Sequence, residues 1–197
     1  MNQPKKILDK ITFKTIAVEV FSVVFAVLLA LGLNNWWQER SNEKLGEEAL
    51  KNIVLEMERN MHELDTAMEQ LQSQLDLLNS ERERYENNKD STLTLGYSHT
   101  VLSDNAWKTA NITQAVLYVD PELIMEISDL YSVQELYSDF GNNYFKQYSS
   151  LEFNKEGNSF TALNSNIKQV EISMIFAEQL REGYREFFNN FGDRLPK

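Results

Sequence analysis

Histidine and carboxylate side chains come closest to a catalytic or metal-binding pattern in this sequence. Glu58 and His62 are four residues apart, which places them on one face of a helix, and Glu63 follows directly. A zinc-protease helix would need a second histidine four residues after His62, but that position holds Thr66. The motif is therefore incomplete, and we expect His62 to be a surface residue.

The sequence also lacks the other common signatures of catalysis. It contains no cysteine, which excludes a thiol nucleophile, a disulfide, a cysteine-based zinc site and a lipoprotein anchor. No glycine-rich phosphate loop, nucleophile elbow or calcium loop is present. Pairs of Asp and Glu are numerous, but on acidic helices they usually form a solvated face. We predict a non-enzymatic protein with no catalytic residues, no metal ligands and no cofactors.

Six aromatic residues are the remaining candidates for a binding pocket. They are Tyr131, Tyr137, Phe140, Tyr144, Phe145 and Tyr148. Their helical spacing favours packing in a core, and a pocket lined by them is the alternative.

The first element of the chain is an apolar segment. Residues 16–33 are apolar apart from Glu19 and Ser22. Extended to Trp37, the segment forms a helix of about 33 Å, which matches a bilayer hydrocarbon core of roughly 30 Å. Trp36 and Trp37 stand where an interfacial aromatic belt belongs. We therefore predict a transmembrane helix over residues 16–37.

The charges on the two flanks predict the orientation of this helix. Residues 1–15 carry four lysines against one aspartate, whereas the other flank carries Arg40 and Lys44 against four glutamates. By the positive-inside rule, residues 1–15 form a cytoplasmic tail and residues 38–197 form an extracytoplasmic domain.

A cleaved signal peptide is the alternative to an anchor. Ala30 and Gly32 are small residues at the spacing of a cleavage site. The long basic tail, the charge of Glu19 and the helical pattern that resumes soon after Trp37 favour the uncleaved anchor.

One face of the predicted span carries small side chains. Ser22, Ala26 and Ala30 recur every four residues, and such a face lets another helix approach closely. Glu19 lies on nearly the same face. A carboxylate in lipid tends to have a partner, but Glu19 is about one turn from the cytoplasmic end and can instead extend to the interface.

A long amphipathic helix is predicted over residues 42–88. Its apolar positions alternate in steps of four and three, which gives a seam of period 3.5. The seam residues are Leu50, Val54, Met57, Met61, Leu64, Met68, Leu71, Leu75 and Leu78. The flanking positions do not alternate Glu and Lys as the partner-specifying positions of a coiled coil would.

A second apolar seam lies in a predicted C-terminal helix, residues 159–192, and Arg181 interrupts it. Its residues are Leu163, Ile167, Val170, Met174, Ala177, Tyr184, Phe188 and Phe191. Two matching stripes favour an intrachain bundle over a parallel stalk between subunits. The predicted fold is all-α: one transmembrane helix, then an extracytoplasmic helical bundle with long antiparallel helices.

The middle helices are expected within residues 103–148. Ser103 is the expected N-cap of a helix that runs toward Leu117. Asp120, followed by Pro and Glu, marks the start of the next helix. Gly141 and the two asparagines after it are expected to end or kink that helix.

The anchor segment resembles a family of uncharacterised bacterial membrane proteins. The resemblance rests on Glu19, the apolar run of residues 25–31, Asn34-Asn35-Trp36 and Glu39-Arg40. A second patch of the family is similar to Trp107, Ala110, Val116, Leu117, Asp120, Glu122, Leu123 and Tyr131. The chain departs from the family pattern at Trp37 and at Ala26, where the family often has Gly. The resemblance implies a single-pass protein of the bacterial inner membrane with a periplasmic domain, and it implies no activity or site.

These features predict a membrane-anchored interaction protein, an accessory or scaffold subunit of a cell-envelope complex. The expected partners are the lipid bilayer and either another membrane protein or a second copy of the chain. The residues after the span carry a net charge of about −13, which argues against nucleic acid as a partner. A membrane-tethered ligand-sensing domain is the alternative, which the lack of a second span or output domain disfavours.

Overall fold

The computed structural model describes residues 12–88, 99–150 and 159–196, with the side chains of residues 12–15, 147–150 and 159 left out. These residues form helices and turns, and no β-strand occurs among them. The elements are α1 (Thr12–Asn87), α2 (Asn105–Ile112), a 3-10 helix (Ala115–Tyr118), α3 (Pro121–Ser150), α4 (Ser159–Phe191) and a second 3-10 helix (Gly192–Arg194). The all-α prediction is confirmed for the described part of the chain.

The chain divides into two compact units between Leu45 and Gly46. In the first unit the side chains of residues 16–41 are all exposed. By length and composition, α1 is the one described helix that is able to cross a membrane, and its apolar window lies at its N-terminal end. This is compatible with membrane anchoring, and a signal sequence would share the property. The predicted cytoplasmic tail lies outside the described residues, apart from the backbone of residues 12–15.

The second unit contains one hydrophobic core, to which α1, α2, α3 and α4 all contribute. Every residue of the first seam is either buried in this core or partly buried against it. The same holds for the apolar residues of the second seam. Two further α4 residues, Leu180 and Phe187, are also buried, so the apolar face of α4 is wider than the seam.

Contacts between α1 and α4 show the relative direction of these two helices within the second unit. Arg181 Nη1 lies 3.3 Å from Asp65 Oδ1. The rings of Tyr85 and Phe160 stack with their centroids 5.4 Å apart. The residue number rises along α1 as it falls along α4, so the two helices run in opposite directions here.

The same reasoning orients α3. The Tyr184 hydroxyl donates to Gln134 Oε1, and the Tyr144 hydroxyl donates to Asn166 Oδ1. The position along α3 rises as the position along α4 falls. Within the second unit α3 therefore runs opposite to α4 and in the same direction as α1.

The segment after α2 differs from the sequence-based prediction. The helix that was expected to run toward Leu117 ends at Ile112. Gln114 has a φ of 60°, in the left-handed region, and the chain then forms the short 3-10 helix. A left-handed residue cannot continue a right-handed helix, and most side chains avoid that region. Since Gln is not a residue that signals this conformation, the break was not predictable.

The start of α3 follows the sequence signal. Asp120 Oδ1 accepts a hydrogen bond of 2.9 Å from the backbone N–H of Glu122, as an N-cap does. This hydrogen bond, together with the Arg194 guanidinium, holds the pKa of Asp120 below its ordinary value. Arg194 also donates to Glu122, so the C-terminal 3-10 helix is tied to the first turn of α3.

Candidate functional site: a buried polar network and its groove

Glu56 of α1 is almost fully buried, with 1% of its surface exposed. Its Oε1 accepts hydrogen bonds from the Tyr131 hydroxyl at 2.7 Å and the Trp107 backbone N–H at 3.4 Å. Its Oε2 accepts from the Ser103 hydroxyl at 2.6 Å and the Ala106 backbone N–H at 3.0 Å. Two donors thus engage each oxygen, and a buried carboxylate needs such partners to remain in the interior.

Glu56 supplies the N-terminal cap of α2 from another helix. The first N–H groups of an α-helix have no partner within the helix. Asp104 occupies the N-cap position but makes no side-chain capping bond. The predicted N-cap, Ser103, is therefore one residue too early. Its hydroxyl donates to Glu56 and accepts only a long hydrogen bond of 3.5 Å from the Asn105 backbone N–H. A carboxylate near a helix N-terminus is also favoured by the helix dipole.

Two amide side chains hold the peptide group of Ser103. Asn60 Oδ1 accepts from the Ser103 backbone N–H at 3.0 Å, and Asn60 Nδ2 donates to the Ser103 carbonyl at 2.7 Å. Gln134 Nε2 donates to the same carbonyl at 2.9 Å. We call Glu56, Asn60, Ser103, Tyr131, Gln134 and Tyr184 the Glu56 network. It fixes the segment before α2 against α1 and α3, and α3 against α4.

The two tyrosines of the network are held in their neutral form. Burial, followed by the hydrogen bond to Glu56, raises the pKa of Tyr131 far above its ordinary value. Burial also raises the pKa of Tyr184. Both hydroxyls therefore act as stable hydrogen-bond donors near neutral pH. The network can hold structure rigidly, but Glu56 has no oxygen left free to act as a general base.

A groove of about 460 Å³ lies beside the network. Its aromatic wall is formed by Trp107 and Tyr131, whose rings stack with an interplanar angle of 7° and centroids 5.4 Å apart. Its charged lining residues are Asp104, Lys108, Glu135 and Asp139. Its volume falls within the range of small-molecule sites, and its lining combines two aromatic rings with charged and polar groups.

The six predicted aromatic residues are distributed between core and surface. Tyr131, Tyr137 and Tyr144 are buried, Phe140 is half-buried, Phe145 is exposed, and the side chain of Tyr148 lies outside the described residues. Core packing is thus the main use of this set. Tyr131 has both uses, since it is buried and also lines the groove.

Gly141 does not end α3, which was one of the two outcomes expected for this position. The helix continues through it to Ser150. A Cβ at Gly141 would lie 2.1 Å from the His99 ring, so glycine leaves the space that the imidazole fills. The His99 ring also packs on Tyr137 with a centroid distance of 4.9 Å, and burial lowers the pKa of His99.

The predicted site residues of the span all lie in the first unit. Glu19, Ser22, Ala26, Ala30, Trp36 and Trp37 are exposed there. The Ser22 hydroxyl donates to the Val18 carbonyl at 2.8 Å, so this polar group is satisfied within its own helix.

Glu56 was not predicted from the sequence because the acidic residues of α1 were expected on a solvated face, and Asn60 was considered only as a residue that flanks the seam. A weak signal was present. Ile53, Asn60 and Ala67 flank the seam on one side at seven-residue spacing, and none of them is charged. All three are buried. Glu56 lies between Ile53 and Asn60 on this flank, which widens the buried face of α1.

Among the described residues, no group of three or more His, Asp or Glu side chains is placed to hold a metal ion. No protein family, characterised protein or solved structure matches this chain. The function is therefore inferred from the sequence and the geometry alone.

Proposed function

We propose that this protein is a non-enzymatic, membrane-anchored interaction protein that serves as an accessory or scaffold subunit of a bacterial cell-envelope complex. Residues 16–37 cross the inner membrane, residues 1–15 are cytoplasmic, and residues 38–197 form a periplasmic helical bundle with long antiparallel helices. The span binds a membrane-protein partner or a second copy of the chain.

One observation carries this proposal: the apolar side chains of residues 16–33 are exposed on every side of the helix. Phe21 is 69% exposed and Leu28 is 62% exposed. An apolar surface of this extent is unfavourable in water and favourable in a bilayer. The four lysines before the segment support the proposed orientation, because the other flank has only two basic residues, Arg40 and Lys44, against four glutamates.

The small-residue face supports association within the membrane. The Ser22 hydroxyl donates to the Val18 carbonyl of the same helix, so Ser22 presents a small surface with no unsatisfied donor. Ala26 and Ala30 continue that surface toward the end of the span. Close approach of a second helix increases van der Waals contact, which is the main source of helix association in lipid.

The domain supports an interaction role through its internal order. Glu56, the most deeply buried carboxylate among the described residues of the second unit, is engaged by four donors of the same chain. Such an arrangement ties α2 and α3 to α1 and so favours a surface of fixed shape. A rigid surface lowers the entropy cost of binding a partner.

A membrane-tethered ligand-sensing domain is the second candidate function, and the groove beside the Glu56 network favours it. Trp107 and Tyr131 couple the groove to the network directly, since Tyr131 donates to Glu56 and the backbone of Trp107 is capped by it. A molecule bound in the groove would act on the residues that fix α2.

Purification of the full chain in mild detergent, followed by mass spectrometry of co-purifying chains, separates the two functions. A stoichiometric protein partner supports the scaffold function, and a lone chain with a bound small molecule supports the sensor.

Ala26→Leu should reduce recovery of the partner or of the oligomer, because it fills the close-approach face. Val27→Leu places a leucine on another face, adding one methylene there, and is the control. Equal recovery from both variants contradicts association through this face.

A further inference from the structure

An uncharged elbow joins α2 to the start of α3. We define the elbow as residues 112–118. Residues 109–119 contain no charged side chain, although the chain after the span is strongly acidic. Ile112 is 83% exposed and Leu117 is 70% exposed. A single exposed apolar residue is ordinary, whereas two so exposed within one short uncharged turn are a candidate for an interaction surface.

The elbow has a fixed shape, so this exposure does not come from a loose loop. Ala115 is 1% exposed and Val119 is 8% exposed, and both belong to the core. Gln114, in the left-handed region, sets the turn between α2 and the 3-10 helix. The buried residues hold the elbow from inside, while Ile112 and Leu117 remain outside.

The elbow packs against the beginning of the second unit. A Cβ at Gly46 would lie 2.6 Å from the carbonyl oxygen of Tyr118, so the two backbones are in close contact. Gly46 follows Trp37, the last residue of the proposed span, by nine residues. Even a fully extended chain of this length reaches only about 32 Å. The covalent tether therefore keeps the elbow within reach of the bilayer surface.

We propose that Ile112, Leu117 and Tyr118 insert into the interfacial region of the bilayer that holds the anchor, which makes the elbow a second membrane contact. This inference rests on the proposed transmembrane anchor. The lack of charge in the elbow suits the boundary between headgroups and acyl chains. Tyr118 is 43% exposed, and tyrosine is enriched at this boundary because its ring is apolar and its hydroxyl is polar.

The lack of cysteine in the chain allows single labelling sites to be introduced without background. We would introduce Ile112→Cys and Leu117→Cys separately, attach a nitroxide to each, and reconstitute the full chain in phosphatidylcholine vesicles. Zwitterionic lipid avoids repulsion of the acidic domain. Leu77→Cys is the matched control, because Leu77 is also exposed (52%) and lies roughly 45 Å along α1 from Gly46.

Electron paramagnetic resonance then compares collisions of each label with lipid-soluble oxygen and with a water-soluble nickel chelate. We expect the labels at Ile112 and Leu117 to lose several-fold in nickel accessibility and gain in oxygen accessibility relative to the label at Leu77.

A label introduced by Val24→Cys reports on the anchor itself. If the Val24 label is in lipid but the elbow labels are open to nickel, only the membrane-contact inference is overturned. If the Val24 label is in water, the anchor is overturned as well. Elbow labels shielded from both reagents would indicate coverage by protein and would also overturn the lipid contact.

Discussion

At the scale of single residues, the stability of the second unit depends on a few polar side chains that complete each other's hydrogen bonds. Glu56 of α1 accepts hydrogen bonds from four donors, which lie in α2, in α3 and in the segment before α2. The net contribution of a satisfied hydrogen bond to folding stability is only about 1 kcal/mol, but a buried donor left without an acceptor destabilises the fold by about 1–3 kcal/mol. The network is therefore most sensitive to loss of its shared acceptor.

We expect Glu56→Ala to destabilise the folded domain by roughly 3–5 kcal/mol, because several buried donors lose their acceptor at once. Chemical unfolding of the full chain in detergent, followed by helical circular dichroism, measures this loss. Glu58→Ala removes an exposed carboxylate two residues away and should change the unfolding free energy by no more than about 0.5 kcal/mol. Similar effects of the two variants would show that the network does not stabilise the domain.

The raised pKa values of Tyr131 and Tyr184 predict a loss of stability at alkaline pH. In the unfolded chain a tyrosine loses its proton near pH 10, whereas the folded chain retains it. The stabilisation is complete below about pH 10 and falls by roughly 1.4 kcal/mol per pH unit for each tyrosine above it. Tyr131→Phe should therefore reduce this slope. Unfolding free energies measured between pH 9 and 11 test the prediction, and an unchanged slope in the variant contradicts it.

At the scale of elements, hydrophobic periodicity predicted the helices because burial repeats with the helical turn. The bounds of α4 agree within one residue with the predicted C-terminal helix, and α3 begins directly after Asp120, but the helices predicted over residues 16–37 and 42–88 belong to one helix, α1. Two features were not predictable. Glu56 is buried where α2 and α3 bring donors to it, and Gln114 is left-handed beside Ala115, which is buried in the core. Both depend on contacts distant in sequence, which local patterns do not encode.

The neighbours Leu77 and Leu78 test the packing of α1. Leu78 is fully buried and Leu77 is 52% exposed, although they are the same residue type in the same helix. We expect Leu78→Ala to cost roughly 2–5 kcal/mol by cavity formation, and Leu77→Ala to cost about 1 kcal/mol or less.

Thermal unfolding of both variants at several protein concentrations measures this difference. The melting temperature of Leu78→Ala should be lower and independent of concentration, because the core lies within one chain. A stalk between subunits would instead dissociate, and its melting temperature would rise with concentration by mass action. That result would contradict the intrachain packing.

At the scale of the whole molecule, the two units have surfaces suited to different solvents. The first unit exposes apolar side chains around its helix, whereas the second buries them in a core and carries most of the acidic charge. A single span with basic residues on one side would hold the acidic domain on the other side. The domain would then meet partners only in the periplasm, near the membrane.

This orientation predicts that a reporter active only outside the cytoplasm will be active when fused after Lys197. The four lysines of residues 1–15 resist translocation, so the tail remains inside. Replacing Lys5, Lys6, Lys10 and Lys14 with Gln removes that bias and should lower reporter activity at equal expression. N-terminal sequencing of the mature protein should find a start before Ile16, since an anchor is not cleaved. A mature N-terminus near Leu33 would instead show that the segment is a signal peptide. A reporter active only in the cytoplasm would reverse the orientation and exclude a periplasmic partner.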